Sequence, residues 1–153
     1  MTQTQNGMSF VEAYVFCSPD GTTWTDMAGH GASVAVGGGK RSTGEQNTFD
    51  GVTPIVKGGD RASTDITCRF VYTETASEPF DVAQTAHESA SGLLYVQYRV
   101  KNGGVWFKSF AAANFDSIIT DLVKPQGEGG SGDVVMSEFI VKCAELSEAA
   151  AST

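Results

Sequence analysis

From Ser63 to Glu74 the residues alternate without interruption: Ile66, Cys68, Phe70 and Tyr72 fall on one side of an extended chain, and Asp65, Thr67, Arg69 and Thr73 on the other. A period of two does not suit a helix, whose same-face neighbours recur three and four residues apart; it describes a strand with one dry face and one wet face. Such a strand needs hydrogen-bonding neighbours and a second layer over its apolar side, so this segment commits the chain to a sheet packed on something else.

The remaining chain repeats the theme. Met8 to Cys17 puts Phe10, Glu12, Tyr14 and Phe16 on one face and Val11, Ala13, Val15 and Cys17 on the other. Apolar on nearly both sides, it belongs in the centre of a sandwich or beneath a neighbouring subunit. Ser18-Pro19-Asp20-Gly21 is turn chemistry, and a short strand from Thr22 to Met27 carries Trp24. Ala32 to Val36 and Thr53 to Lys57 read as extended. Leu93 to Lys101 and Val105 to Phe110 flank Asn102-Gly103-Gly104, a strong hairpin signal. Phe115 to Val123 and Val134 to Cys143 complete seven to nine predicted strands. Between Gly37 and Gly51 only Phe49 is a large apolar residue, which predicts a long polar loop; Pro125 to Asp133 predicts a flexible connection. One helix is predicted, starting at Ser77-Glu78-Pro79 and running to about Ser89, with Phe80, Ala83, Ala86, His87 and Ala90 on one stripe.

The expected fold is mainly β, an antiparallel sandwich or barrel with one flanking α-helix and a long inter-subunit loop. At 153 residues, one domain over 8–146 accounts for the chain, between a flexible arm at 1–7 and a flexible tail at 147–153. Ten Lys and Arg against eighteen Asp and Glu give a net charge of -8, the wrong sign for a domain that grips phosphate backbones. No apolar run approaches the roughly 18 residues of a membrane helix, and the first residues lack the features of an export signal, so synthesis in a cytoplasm is expected. The three cysteines, Cys17, Cys68 and Cys143, form no CxxC pair and sit in strand-like runs, which predicts buried thiols.

A search for reaction chemistry returns little. Gly37 to Thr43 is glycine-rich, but Val34 stands where a phosphate loop needs its first Gly and Arg41 where it needs a hydroxyl. His30 and His87, the two histidines, have no ligand-spaced partner, and no Ser lies in GxSxG. No metal or other cofactor is implied, and no enzyme is expected. Spacing alone does not exclude a carboxylate pair for glycoside hydrolysis, since any two of the acids can converge in space. Trp24, Tyr95, Tyr98, Trp106 and Phe107 suit a stacking platform as well as packing or subunit contacts. The positive pattern is a two-sided apolar strand, two polar loops and an acidic surface, which suits a protein that assembles.

In the order of these parts the chain resembles the major tail tube proteins of long-tailed bacteriophages with non-contractile tails. The polar loop 37–52, Gly59-Asp60-Arg61 leading into the alternating strand, the Pro-started helix, the hairpin Leu94 to Lys108 and the closing strand Val134 to Lys142 carry the likeness over residues 8–146. Contractile-tail and type VI secretion tubes are similar in architecture. The resemblance implies hexameric rings that stack into a hollow tube in the virion tail, assembled in the host cytoplasm. DNA would pass through without specific binding, no membrane would be contacted, and the partners would be other copies, a tape measure protein and tail tip and terminator proteins. It further implies that strands 32–36, 53–57, 63–74 and 134–143 line the channel through Asp65, Thr67, Arg69, Glu138 and Lys57. Loop 38–50 would reach the adjacent ring through Lys40, Arg41, Glu45, Phe49 and Asp50. A binding module, such as a capsid decoration or carbohydrate-binding domain, is the alternative reading, and a small hydrolase using an acid or His87 a third.

Overall fold

The computed structural model describes residues 8, 13–30, 33–49, 51, 53–110, 117–130 and 132–149. Among them are eleven strands and one α-helix: β1 Tyr14–Ser18, β2 Thr25–Asp26, β3 Ser33–Gly38, β4 Arg41–Gln46, β5 Ile55–Arg61, β6 Thr64–Val71, α1 Pro79–Glu88, β7 Tyr95–Arg99, β8 Trp106–Lys108, β9 Ile118–Val123, β10 Met136–Cys143 and β11 Ser147–Ala149. They form a five-stranded sheet in the order β11-β8-β7-β1-β2, a four-stranded sheet β3-β6-β10-β9 and a two-stranded ribbon β4-β5. Every strand pairing is antiparallel.

The core lies between the two larger sheets. Val15, Cys17 and Val96 from one meet Ile66, Cys68, Phe70, Phe139, Val141 and Cys143 from the other, with Ile119 and Leu122 at the β9 side. The alternating segment is β6, and Ile66, Cys68 and Phe70 are fully buried. All three cysteines are free and buried. The predicted hairpin forms, with Gln97 opposite Lys108 and Tyr98 opposite Phe107. Gly103 takes the left-handed conformation at its turn.

The helix packs into one side of the core between the two sheets, lying against β9 and touching β1 and β2. Pro79 is its first residue, and the small side chains of Ala83 and Ala86 permit the close approach. A Ser just ahead of Glu-Pro is the expected capping residue, and Ser77 does not serve as one. Ser77 has φ 65°, its backbone N–H donates to Asp81 Oδ2 at 2.9 Å, and Glu78, at the N-cap, accepts from the Thr73 hydroxyl. The helix thus has no side-chain cap hydrogen bond, and the first-turn acid Asp81 holds the residue ahead of the N-cap instead. His87 and Ala90 leave the predicted stripe: both are exposed, and Ala90 lies beyond the helix.

Two larger corrections follow. Most of the segment 37–51 is no loop: the β3–β6 hairpin continues through Gly39 N–H to Ser63 O (2.9 Å) and Ala62 N–H to Lys40 O (2.8 Å) into β4 and β5, and of its described residues beyond Gln46 none is in a strand. Its polarity misled because neither face of this ribbon is buried against the rest of the chain, so nothing imposes alternation. The tail at 147–153 is not wholly loose either, because Ser147–Ala149 pairs with β8 and the Ser147 hydroxyl donates to Phe110 O at 2.6 Å. Residues 1–7, 111–116 and 150–153 lie outside the described residues, as do 9–12 of the predicted first strand. No helix is long and apolar enough to cross a membrane among the described residues.

Candidate functional site

Three features stand out against the packed core: the outward face of the four-stranded sheet, that sheet's margins, and the projecting ribbon. On the outward face the register sets side chains in rows. Ser33, Arg69, Glu138 and Val123 form one row, and Ala35, Thr67, Ile140 and Asp121 the next. Gly37, Asp65, Lys142 and Ile118 form the third. Asp65, Thr67, Arg69 and Glu138 therefore share one face, as the alternation of β6 predicts. Lys57 does not join them; it lies on β5 in the ribbon, as do residues 55–57 of the segment expected in this sheet. Its place is taken by β9, which brings Asp121. Three acids and two bases face outward, and Lys142 Nζ lies 3.8 Å from Asp65 Oδ1, an exposed ion pair too long for a hydrogen bond.

Sequence reasoning missed Asp121 for a definite reason. The β9–β10 register slips between Ile140 and Val141, so the consecutive residues Thr120 and Asp121 are both exposed. A bulge breaks the period of two, and no signal in Ile118 to Val123 announces it.

The order β3-β6-β10-β9 leaves β3 and β9 as outer strands. The start of β9 is bridged by Leu93, with Leu94 N–H donating to Ser117 O and Ile119 N–H to Gly92 O, both at 2.9 Å; among the described residues no strand flanks the rest. Val36 and Ile118 are exposed apolar residues on these two strands, at 45% and 40%. An open margin with apolar side chains is a template for another strand.

The ribbon is rooted where Gly38 and Gly39 adopt left-handed φ of 78° and 67°. A Cβ on Gly38 would stand 2.5 Å from Ser63 O, so only glycine allows the two backbones to meet and turn there. Beyond it, Arg41 Nη1 donates to Gly59 O at 2.8 Å, and the Ser42 hydroxyl to Asp60 O at 3.3 Å. At its base Arg61 pairs with Glu145 at 3.6 Å. Every described residue of β4 and β5 is exposed, as are Lys40 and Phe49; Asp50 lies outside the described residues. Among the described residues no ion pair engages Lys40, Arg41 or Glu45. Six residues of β4 at about 3.3 Å each make an arm of about 20 Å, carrying Ile55, Val56 and Phe49 into solvent.

The other candidates resolve into packing. Burial pushes the Cys17 thiol up to about 12 and Cys68 higher still, so neither is a ready nucleophile at neutral pH. No group of three or more His, Cys, Asp or Glu is placed to hold a metal among the described residues. The aromatics form no single platform: Tyr98 stacks on Phe107 at 5.3 Å, with Tyr98 against the core. On the other face Trp24 stacks on Phe110 at 5.8 Å. There the Arg99 guanidinium sits 4.3 Å from the Tyr14 ring centroid and 4.6 Å from that of Trp106.

Solved structures share this architecture over nearly the whole chain. A chain of the sheath–tube complex of an extracellular contractile injection system matches with TM-score 0.62 and 16% identity, covering 98% of this chain and 99% of that one. A chain of the tube-terminating cap of the anti-feeding prophage matches with TM-score 0.65 and 12% identity over 99% and 96%. A chain from the tail of an empty gene transfer agent particle, a helical assembly with C6 symmetry, gives 0.60 and 14% over 97% and 100%. No protein-family model and no curated protein matches the chain. The fold is that of tail tube and terminator components of phage-like particles.

Proposed function

We propose that this chain is a non-catalytic structural subunit of a phage tail tube, closing into hexameric rings that stack around a channel for DNA. The observation that carries the reading is a four-stranded sheet with open margins joined to an uncovered hairpin arm, in a fold shared end to end with tail and tube components. A two-stranded hairpin with both faces in water is marginal by itself, so the arm needs another subunit to hold it. Pairing the β3 margin of one subunit with the β9 side of the next continues the sheet around a ring and removes its edges.

In that ring the face bearing Asp65, Arg69, Asp121, Glu138 and Lys142 lines the bore. One excess negative charge per subunit on this face, within a chain of net charge -8, keeps phosphate backbones from adhering. The assignment to a long, non-contractile tail rests on the sequence resemblance. It brings a tape measure protein inside the tube and terminator and tip proteins at its ends, with assembly in the host cytoplasm. Electron microscopy of the purified protein tests the proposal: stacked annuli with a central bore are expected, and a protein strictly monomeric at every concentration and ionic strength overturns it.

A further inference from the structure

The turn end of the β7–β8 hairpin holds an open cavity of about 430 Å³ lined by Met8, Val100, Lys101, Gly104, Val105 and Phe107. Met8 and Val105 are 65% and 44% exposed, so the lining is apolar and accessible. Elsewhere on the molecule, near the tip of the arm, Phe49 is fully exposed, the extreme among the large apolar residues described. An exposed aromatic knob and an exposed apolar socket thus occur on one chain, each left uncovered by the described residues.

Resting on the tube reading, we infer that Phe49 of one subunit seats in the Val100–Val105–Phe107 socket of a subunit in the adjacent ring. Charge selects this occupant. From Ser42 to Val56 the chain carries Glu45 and Asp50 and no Lys or Arg, with Lys57 following on the arm; the socket lining itself carries Lys101 and no acid. The knob is flanked by negative charge and the socket by positive charge, although the chain as a whole is acidic. Docking buries an aromatic ring beside a favourable charge pairing, the composition of an interface hot spot. Because knob and socket are different patches, the contact is heterologous: each seated copy still presents a free socket or a free knob, so the contact propagates axially instead of closing.

The test compares wild type with Phe49→Ala, and mixes Phe49→Cys with Val105→Cys protein under mild oxidation. Seating predicts that Phe49→Ala keeps the wild-type fold by circular dichroism while its critical concentration for polymerisation rises on the order of 30-fold. It also predicts that the mixed cysteine variants form a disulfide-linked pair that neither forms alone, and that Lys101→Glu weakens polymerisation and Glu45→Lys partly restores it. Normal polymerisation of Phe49→Ala with no cross-link overturns the inference and leaves the tube reading standing; a wild type that never polymerises overturns both. Protection of the Val105→Cys thiol from alkylation in the monomer, relieved by deleting residues 1–7, gives the socket to the chain's own N-terminal segment and also overturns it.

Discussion

Cys17 and Asp20, three residues apart, show how position sets the chemistry of a side chain. Desolvation between the sheets raises the Cys17 thiol from 9.0 to about 12, so the folded state holds a proton that the unfolded chain releases. Stability is therefore full below pH 9 and falls as pH rises from 9 toward 12, by about 1.4 kcal/mol per pH unit for one such thiol. Melting temperatures measured from pH 8 to 11 are expected to decline, with a shallower slope for Cys17→Ala. Asp20 shifts the other way: the backbone N–H groups of Thr23 and Thr22 and the Ser18 hydroxyl hold its carboxyl below the usual range. Its contribution is present above the ordinary carboxylate range and lost progressively in acid, so Asp20→Ala is expected to lower the melting temperature at pH 7 and the difference from wild type to shrink as pH falls below that range. Deeper in, Phe70 packs on Phe139 with ring centroids 5.7 Å apart, both fully buried. Phe70→Ala is expected to cost about 3–5 kcal/mol in denaturant unfolding.

At the scale of elements, the arm and the core sheets answer to different needs. β6 and β10 bury alternate residues between layers, so their period of two is visible in the chain. β4 and β5 bury nothing, and Gly, Ser, Thr and Glu serve there because the ribbon is held by backbone pairing and two side-chain hydrogen bonds rather than by a packed face. Replacing 41–61 with an Asn-Gly turn, which closes the hairpin between Lys40 and Ala62, is expected to leave the melting temperature within a few degrees and to abolish tube growth. A large loss of stability in that variant shows instead that the arm supports the fold. The helix illustrates a smaller divergence. Its start and proline were legible at Ser77 to Pro79, but Ser77 does not cap it, since it turns left-handed and Asp81 reaches back to its N–H.

For the whole molecule, the proposed ring depends on margins that no single strand reveals. Val36→Lys places a charge where one subunit's β3 meets its neighbour. Folded monomers without annuli are the expected outcome, read by sedimentation and electron microscopy. The antiparallel β class, the single helix, the β7–β8 hairpin and the buried thiols were readable from local pattern and turn chemistry, because each depends on residues within a few positions of one another. The shared face of Asp65, Thr67, Arg69 and Glu138 needed only the parity of two strands, with β10 taken as the partner of β6. Tertiary structure alone decided that Lys57 leaves that face, that Asp121 enters it through a bulge, that residues 37–38 and 41–46 are paired strand and that Ser147–Ala149 closes a sheet. Those outcomes turn on which strands become neighbours, and the pairing free energy is shared among residues far apart in the chain, where no local period records it.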